Sequence, residues 1–174
     1  MHFRPRAGFT LLEVATVIVI ITILFVMLVP AFEQYRERSE RLGCTTNLRS
    51  LYTAASGYLV DNSHWPQIRN TETNDDEYAD EWNGALEKYG IGRTSWLCPS
   101  VQRKSGYPDV TKKEKIRIDY FATPFDDHPS TPHKWPNQPW FIERADVHGT
   151  GHLILFPDGA VIDYKAAMKR AGTM

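Results

Sequence analysis

The side chains whose types and spacing could do chemistry fall into a few groups. His148, His152 and Asp158 form the first. Residues four apart on a strand share a face, so the two imidazoles would converge. Two histidines and one aspartate resemble a zinc set, although closer patterns such as H-E-x-x-H are missing. Asp75, Asp76, Glu77, Asp80 and Glu81 form the second group and offer the hard oxygens that Ca2+ takes. They lack the EF-hand spacing, and a solvated surface loop is the plainer reading. Cys44 and Cys98, the 2 cysteines of the chain, form the third. They do not make a C-x-x-C pair, which removes a thioredoxin-like or zinc-ribbon reading. Outside the cytoplasm they suit one disulfide, which would clip a loop region to a helix and is worth roughly 4 kcal/mol in the chain-entropy model. Two buried free thiols are the alternative. No Ser-His-Asp motif, nucleotide-binding glycine loop or paired-carboxylate arrangement stands out, so no catalytic residue is assigned.

The elements that must position these groups begin with a segment unlike the rest. From Val14 to Phe32 the chain is almost wholly apolar, interrupted by Thr16, Thr22 and Pro30, and Arg4 and Arg6 precede it. About 20 such residues span a bilayer as a helix. Positive charge before the span holds the N-terminus in the cytoplasm, so the chain from about residue 33 is expected to be extracytoplasmic. A cleaved secretory signal fits less well: the apolar run exceeds a usual h-region, and no small-x-small site follows it. Within this setting Glu13 is the anomaly, because a carboxylate in a membrane helix needs a compensating partner.

Gly8, Phe9, Thr10, Leu11, Leu12 and Glu13, followed by a long small or apolar stretch, resemble the class III signal of type IV prepilins and type II secretion pseudopilins. That resemblance implies cleavage between Gly8 and Phe9 by a prepilin peptidase, methylation of the new Phe9 amine, and side-by-side packing of the apolar helices in a filament core. It gives Glu13 an assembly role: its carboxylate would pair with the N-terminal amine of a neighbouring subunit, a buried ion pair that sets register more than it adds stability. It also implies an inner-membrane assembly platform as partner, copies of the chain itself, and membrane lipid before assembly. The precursor would be single-pass in the bacterial inner membrane, and the filament periplasmic or at the cell surface. Several major pseudopilins bind calcium in their heads, which is what ties Ca2+ to the acidic group above.

Past Phe32 a sparser stripe of Tyr35, Leu42, Leu48, Leu51, Tyr52, Ala55, Tyr58 and Leu59 continues the helix as an amphipathic one to about Val60. Pro30 is expected to kink or loosen it, and Gly43 to weaken it. "DNSHWP" ends it with turn formers. "ADEWNGALEKYG" suggests a short helix closed by Gly90, and "KIRIDYFA" alternates as a half-buried strand does. The proline-rich stretch 123–140 reads as a loop whose Trp135 and Trp140, with Phe125 and His133, either form a sugar- or peptide-binding surface or cover the sheet. "HLILFPDGAVIDY" reads as a β-hairpin turning at Pro157, Asp158 and Gly159, and a short last helix follows, capped at Asp163. The spacing from His148 to Asp158-Gly159 resembles a C-terminal signature of a large group of bacterial prepilin-type proteins. Its physical sense would be that the His148 imidazole ties down a backbone group.

The expected fold is therefore α+β and pilin-like: a long N-terminal helix packed on a small antiparallel sheet. Residues 1–8 would be a removed leader, 9–32 the transmembrane or filament-core helix, 33–60 its amphipathic continuation, and 61–174 the globular extracytoplasmic head. With 20 basic and 21 acidic residues scattered along the chain, nucleic acid is not an expected partner. The function that the prepilin resemblance implies is that of a structural filament subunit. The alternative is a membrane-anchored enzyme or carbohydrate-binding module that uses the N-terminal helix for attachment alone.

Overall fold

The computed structural model describes residues 10–68, 75–106 and 117–172. Gly8 and Phe9, and Lys115 and Ile116 of the expected strand, lie outside them. The chain divides into two units, Met1–Arg38 and Ser39–Met174. Helix α1, Leu11–Asn62, contributes to both.

In the first unit α1 carries the apolar run, and it is long and apolar enough to cross a membrane. None of that window is buried within the chain. The expected weakening at Pro30 does not interrupt α1. Proline removes one backbone hydrogen bond, but its fixed φ is already helical.

In the second unit the remainder of α1 buries Cys44, Leu48, Leu51, Ala54 and Ala55. Spacings of four, three and four keep Cys44, Leu48, Leu51 and Ala55 on one face. Tyr52, Tyr58 and Leu59 pack half-buried against the same core, as the stripe requires. Leu42 does not belong to it: two residues before Cys44 it points to the far side of the helix and is exposed, as is Tyr35.

Helix α2 is Asp75–Leu86, longer than the sequence suggests, because it starts within the acidic stretch taken for a loop. A single 3-10 turn, Glu87–Tyr89, follows and ends at Gly90 with φ 87°. A second, Arg93–Trp96, leads to α3, Pro99–Ser105, with Pro99 opening the helix after Cys98. The strands are β1 Tyr120–Ala122, β2 Phe141–Glu143, β3 Leu153–Leu155 and β4 Val161–Asp163, with α4, Thr131–Lys134, between β1 and β2 and α5, Tyr164–Gly172, last. They form one antiparallel sheet in the order β1-β2-β3-β4, with Tyr120 opposite Glu143, Phe141 opposite Leu155, and Ile154 opposite Ile162. The architecture is α+β, with a long N-terminal helix and a small antiparallel sheet.

β1 is shorter than the alternation in "KIRIDYFA" implies. Ile118 and Asp119 are both buried, so Asp119 is not on a solvent face, and the Asp119 N–H donates to the Trp96 carbonyl at 2.9 Å rather than joining the sheet ladder. Trp65 occupies the centre of the core, with ring centroids 5.1 Å from Trp140, 5.2 Å from Phe125, 5.9 Å from Trp82 and 5.9 Å from Phe141. Trp96 and Trp82 complete this aromatic layer. The turn residues around Trp65 thus end α1 and also place one of the largest core side chains.

Candidate functional site

At the start of α1 the Thr10 backbone N–H donates to Glu13 Oε2 at 2.9 Å and its hydroxyl donates to the same oxygen at 2.8 Å. The Glu13 N–H donates back to Thr10 Oγ1 at 3.3 Å. This is a capping box: Thr10 is the N-cap and Glu13 the third helical residue, and together they satisfy donors that the first turn leaves open. The T-x-x-E pattern ahead of an apolar run was the signal for it, and sequence reasoning passed over it. Glu13 therefore has a local partner within its own chain.

In the head, Cys44 and Cys98 are joined in a disulfide across 54 residues of sequence. Both are fully buried. Around them lies a polar cluster of which sequence reasoning named only His148. The His148 Nε2 atom is 3.8 Å from Cys98 Sγ and 3.1 Å from Glu143 Oε1, and the side chains of His148 and Glu143 are 2% and 0% exposed. The other oxygen of Glu143 accepts the Leu153 N–H at 3.2 Å. His148 thus meets a carboxylate, not the backbone group expected of it, and it lies in the loop before β3 rather than on the strand. His152 makes the backbone contact instead, through Nδ1 to the Glu143 carbonyl oxygen at 2.9 Å.

Neighbouring groups hold this cluster in place. Asp119 Oδ2 accepts the Cys98 N–H at 2.8 Å and an N–H of Arg117 at 2.8 Å. Asn47 Nδ2 donates to the Leu97 carbonyl at 2.6 Å. The Tyr120 hydroxyl donates to the Cys44 carbonyl at 3.4 Å, and burial, foremost, pushes that hydroxyl far above its ordinary range, so it stays a donor. Lys104 Nζ caps the Val147 carbonyl just before His148. Asp119 could not be picked out from the sequence, where it is one acidic residue in an alternating pattern, and no pattern marks Glu143 at all.

The other expected groups are dispersed. Asp158 Oδ1 accepts the Ala160 N–H at 3.1 Å, and Oδ2 pairs with Arg170 at 2.9 Å. Gly159, with φ 77°, closes the turn, and a β-carbon there would sit 3.3 Å from Tyr52 Cε1, while the Tyr52 hydroxyl donates to the Pro157 carbonyl at 3.3 Å. The turn therefore docks on α1, while His148 lies on the other side of β3 in the chain. Among the described residues, the metal-ligating side chains that gather are Cys44, Cys98, Glu143 and His148. His152, Asp158, Glu77, Asp80 and Glu81 are not among them, and the side chains of Asp75 and Asp76 lie outside the described residues. Trp140 is buried and donates its indole N–H to the Pro132 carbonyl at 2.8 Å, with His133 edge-on at 5.0 Å. Trp135 and Phe125, with Thr123, Pro124, Asn137 and Gln138, line an open cavity of about 500 Å³. Of the two readings, a binding surface or a cover for the sheet, Trp140 follows the second by closing the core, while Trp135 faces solvent.

Residues 3–29 match the prokaryotic N-terminal methylation motif. The type IV major pilin protein PilA of Myxococcus xanthus is 36% identical over 70 residues, 40% of this chain and 32% of that protein. The type II secretion system core protein G of Aeromonas hydrophila is 36% identical over 66 residues, 38% of this chain and 46% of that protein. The competence protein ComGC of Halalkalibacterium halodurans is 33% identical over 64 residues, 37% of this chain and 63% of that protein. The chain therefore spans less than two thirds of the length of these curated relatives. No solved structure matches it. By the methylation motif and these relatives, the N-terminal segment of this chain is similar to that of a type IV major pilin, a type II secretion core protein G and the competence protein ComGC.

Proposed function

We propose that this chain is a structural subunit of a type IV pilus-like filament or a type II secretion pseudopilus, with a mechanical rather than catalytic task. The observation that carries the reading is a methylation motif over residues 3–29 running into a membrane-length helical stretch of which none is buried in the chain. Such a surface has two stable surroundings, lipid before assembly and the helices of other copies after it. A prepilin peptidase removes residues 1–8 by cutting between Gly8 and Phe9, and the Phe9 amine is methylated. The precursor sits in the inner membrane with its N-terminus cytoplasmic, and an assembly platform draws it into the polymer with the head outside.

On this reading Glu13 changes partner. In the single chain its carboxylate caps α1 through Thr10; in the filament it meets the methylated amine of the neighbouring copy. The ammonium is the stronger partner in a dry helix bundle, and the exchange occurs only when the two copies are in register.

Co-expression with a prepilin peptidase, followed by intact-mass measurement, tests the proposal. The expected product lacks residues 1–8 and carries one added methyl group. A chain that keeps Met1 under active peptidase overturns it.

A further inference from the structure

Cys44 and Cys98 Sγ, a Glu143 carboxylate oxygen and a His148 ring nitrogen all lie within 4.8 Å of one another. They come from four separate places: α1, the turn before α3, the end of β2, and the loop from β2 to β3. A tetrahedral ion with bonds of about 2.3 Å to sulfur and about 2.0–2.1 Å to nitrogen or oxygen holds its donors about 3.3–3.8 Å apart. The observed spread therefore needs side-chain adjustment of an ångström or less per donor.

A disulfide alone has no use for this company. Glu143 is 1% exposed as a residue, and a buried carboxylate is costly unless it is paired or coordinates a metal. His148 Nε2 faces both Cys98 Sγ and Glu143 Oε1, at 3.8 and 3.1 Å. It is placed where a shared central atom would be reached from all sides. The groups behind the donors are of the kind that orient metal ligands: the Leu153 N–H on the second Glu143 oxygen, and Asp119 on the Cys98 backbone.

We propose that, with its cysteines reduced, the head binds one zinc ion through Cys44, Cys98, His148 and Glu143, and that zinc binding and the Cys44–Cys98 disulfide exclude each other. Two thiolates with one imidazole select a borderline-soft tetrahedral ion and not calcium or magnesium. The newly made chain already carries the thiols. From the disulfide form, a dithiol reductant supplies the two electrons. One of its thiolates attacks a cysteine sulfur and releases the other as thiolate, and its second thiol resolves the mixed disulfide and leaves as an internal disulfide. On zinc binding any protons on the two cysteines go to solvent, and the imidazole enters neutral. In the opposite direction a disulfide oxidant forms the S–S bond, removes both sulfur ligands and releases the ion. The inference does not depend on filament assembly.

The test uses the full chain in detergent under anaerobic conditions, with and without phosphine reduction. After zinc addition and dialysis, metal analysis is expected to find one zinc per reduced chain and none per oxidised chain. Cobalt in place of zinc is expected to give thiolate-to-cobalt absorption and the visible bands of a tetrahedral site, and zinc is expected to slow re-oxidation by glutathione disulfide at least tenfold. His148→Ala and Glu143→Gln are each expected to weaken zinc at least tenfold. Should either variant fail to fold, the wild-type stoichiometry and cobalt spectrum still decide. A reduced chain that takes up no zinc, an oxidised chain that takes up as much, or folded variants that bind as tightly as wild type would overturn the proposal.

Discussion

The carboxylate of Asp119 accepts the backbone N–H of Cys98 at 2.8 Å and binds Arg117 through the same oxygen. Asp119 is 2% exposed, so it links the strand region to the cysteine turn from inside the core. Removing it takes the acceptor from the buried Cys98 N–H and breaks one contact of Arg117. Asp119→Ala is expected to lower stability by about 3 kcal/mol, since breaking a buried pair costs more than the pair contributes. Denaturant unfolding of the full chain in detergent measures this, and a loss below about 1 kcal/mol would show that the link is unimportant.

Gly43 and Gly84 are both helical glycines, yet they are expected to respond oppositely to alanine. A β-carbon at Gly43 would lie 3.1 Å from Pro99 Cγ, and the adjacent disulfide keeps Pro99 from moving away. At Gly84 nothing lies within 4 Å. Gly84→Ala should therefore gain roughly 0.5–1 kcal/mol from helix propensity, while Gly43→Ala should show no gain or a loss. Thermal unfolding of the two variants side by side checks the difference.

Two aspartates make the head sensitive to acid. For Asp163 the Ala166 N–H comes first, with Arg41 adding to it against burial, and together they hold the carboxyl below its ordinary value. For Asp158 burial is the largest influence and acts upward, but Arg170 and the Ala160 N–H outweigh it. Both folded-state values are depressed, so the stabilisation is fully present above the ordinary aspartate value and is lost as pH falls through the lower folded ones. Stability should hold above about pH 4 and decline below it. Arg41→Gln and Arg170→Gln should flatten that decline, as acid titration of unfolding would read.

Glu13 separates capping from charge. Glutamine can complete a capping box but carries no charge. Glu13→Gln should leave membrane insertion and peptidase cleavage intact and reduce incorporation into a filament, whereas Glu13→Ala loses both cap and assembly. Sedimentation of sheared filaments from cells measures incorporation. Wild-type assembly by Glu13→Gln would leave the cap as the sole role of Glu13.

What the sequence determined by itself is what depends on neighbours in the chain. The apolar run from Val14, the turn at Pro157, Asp158 and Gly159, the Gly90 helix stop and the Asp163 cap are local patterns, and each is found where its residues stand. The α+β class follows from them. Tertiary structure decided what depends on distant partners. Trp65 looked like part of a turn and became the centre of the core; Trp135 and Trp140, five residues apart, were sent to opposite sides of the surface. Asp119 read as an ordinary strand acid and Glu143 carried no signal, until the sheet register set Tyr120 opposite Glu143 and placed the acids beside Cys98 and His148. Periodicity records which face a residue takes on its own element, but which elements meet on that face is fixed only when the whole chain packs.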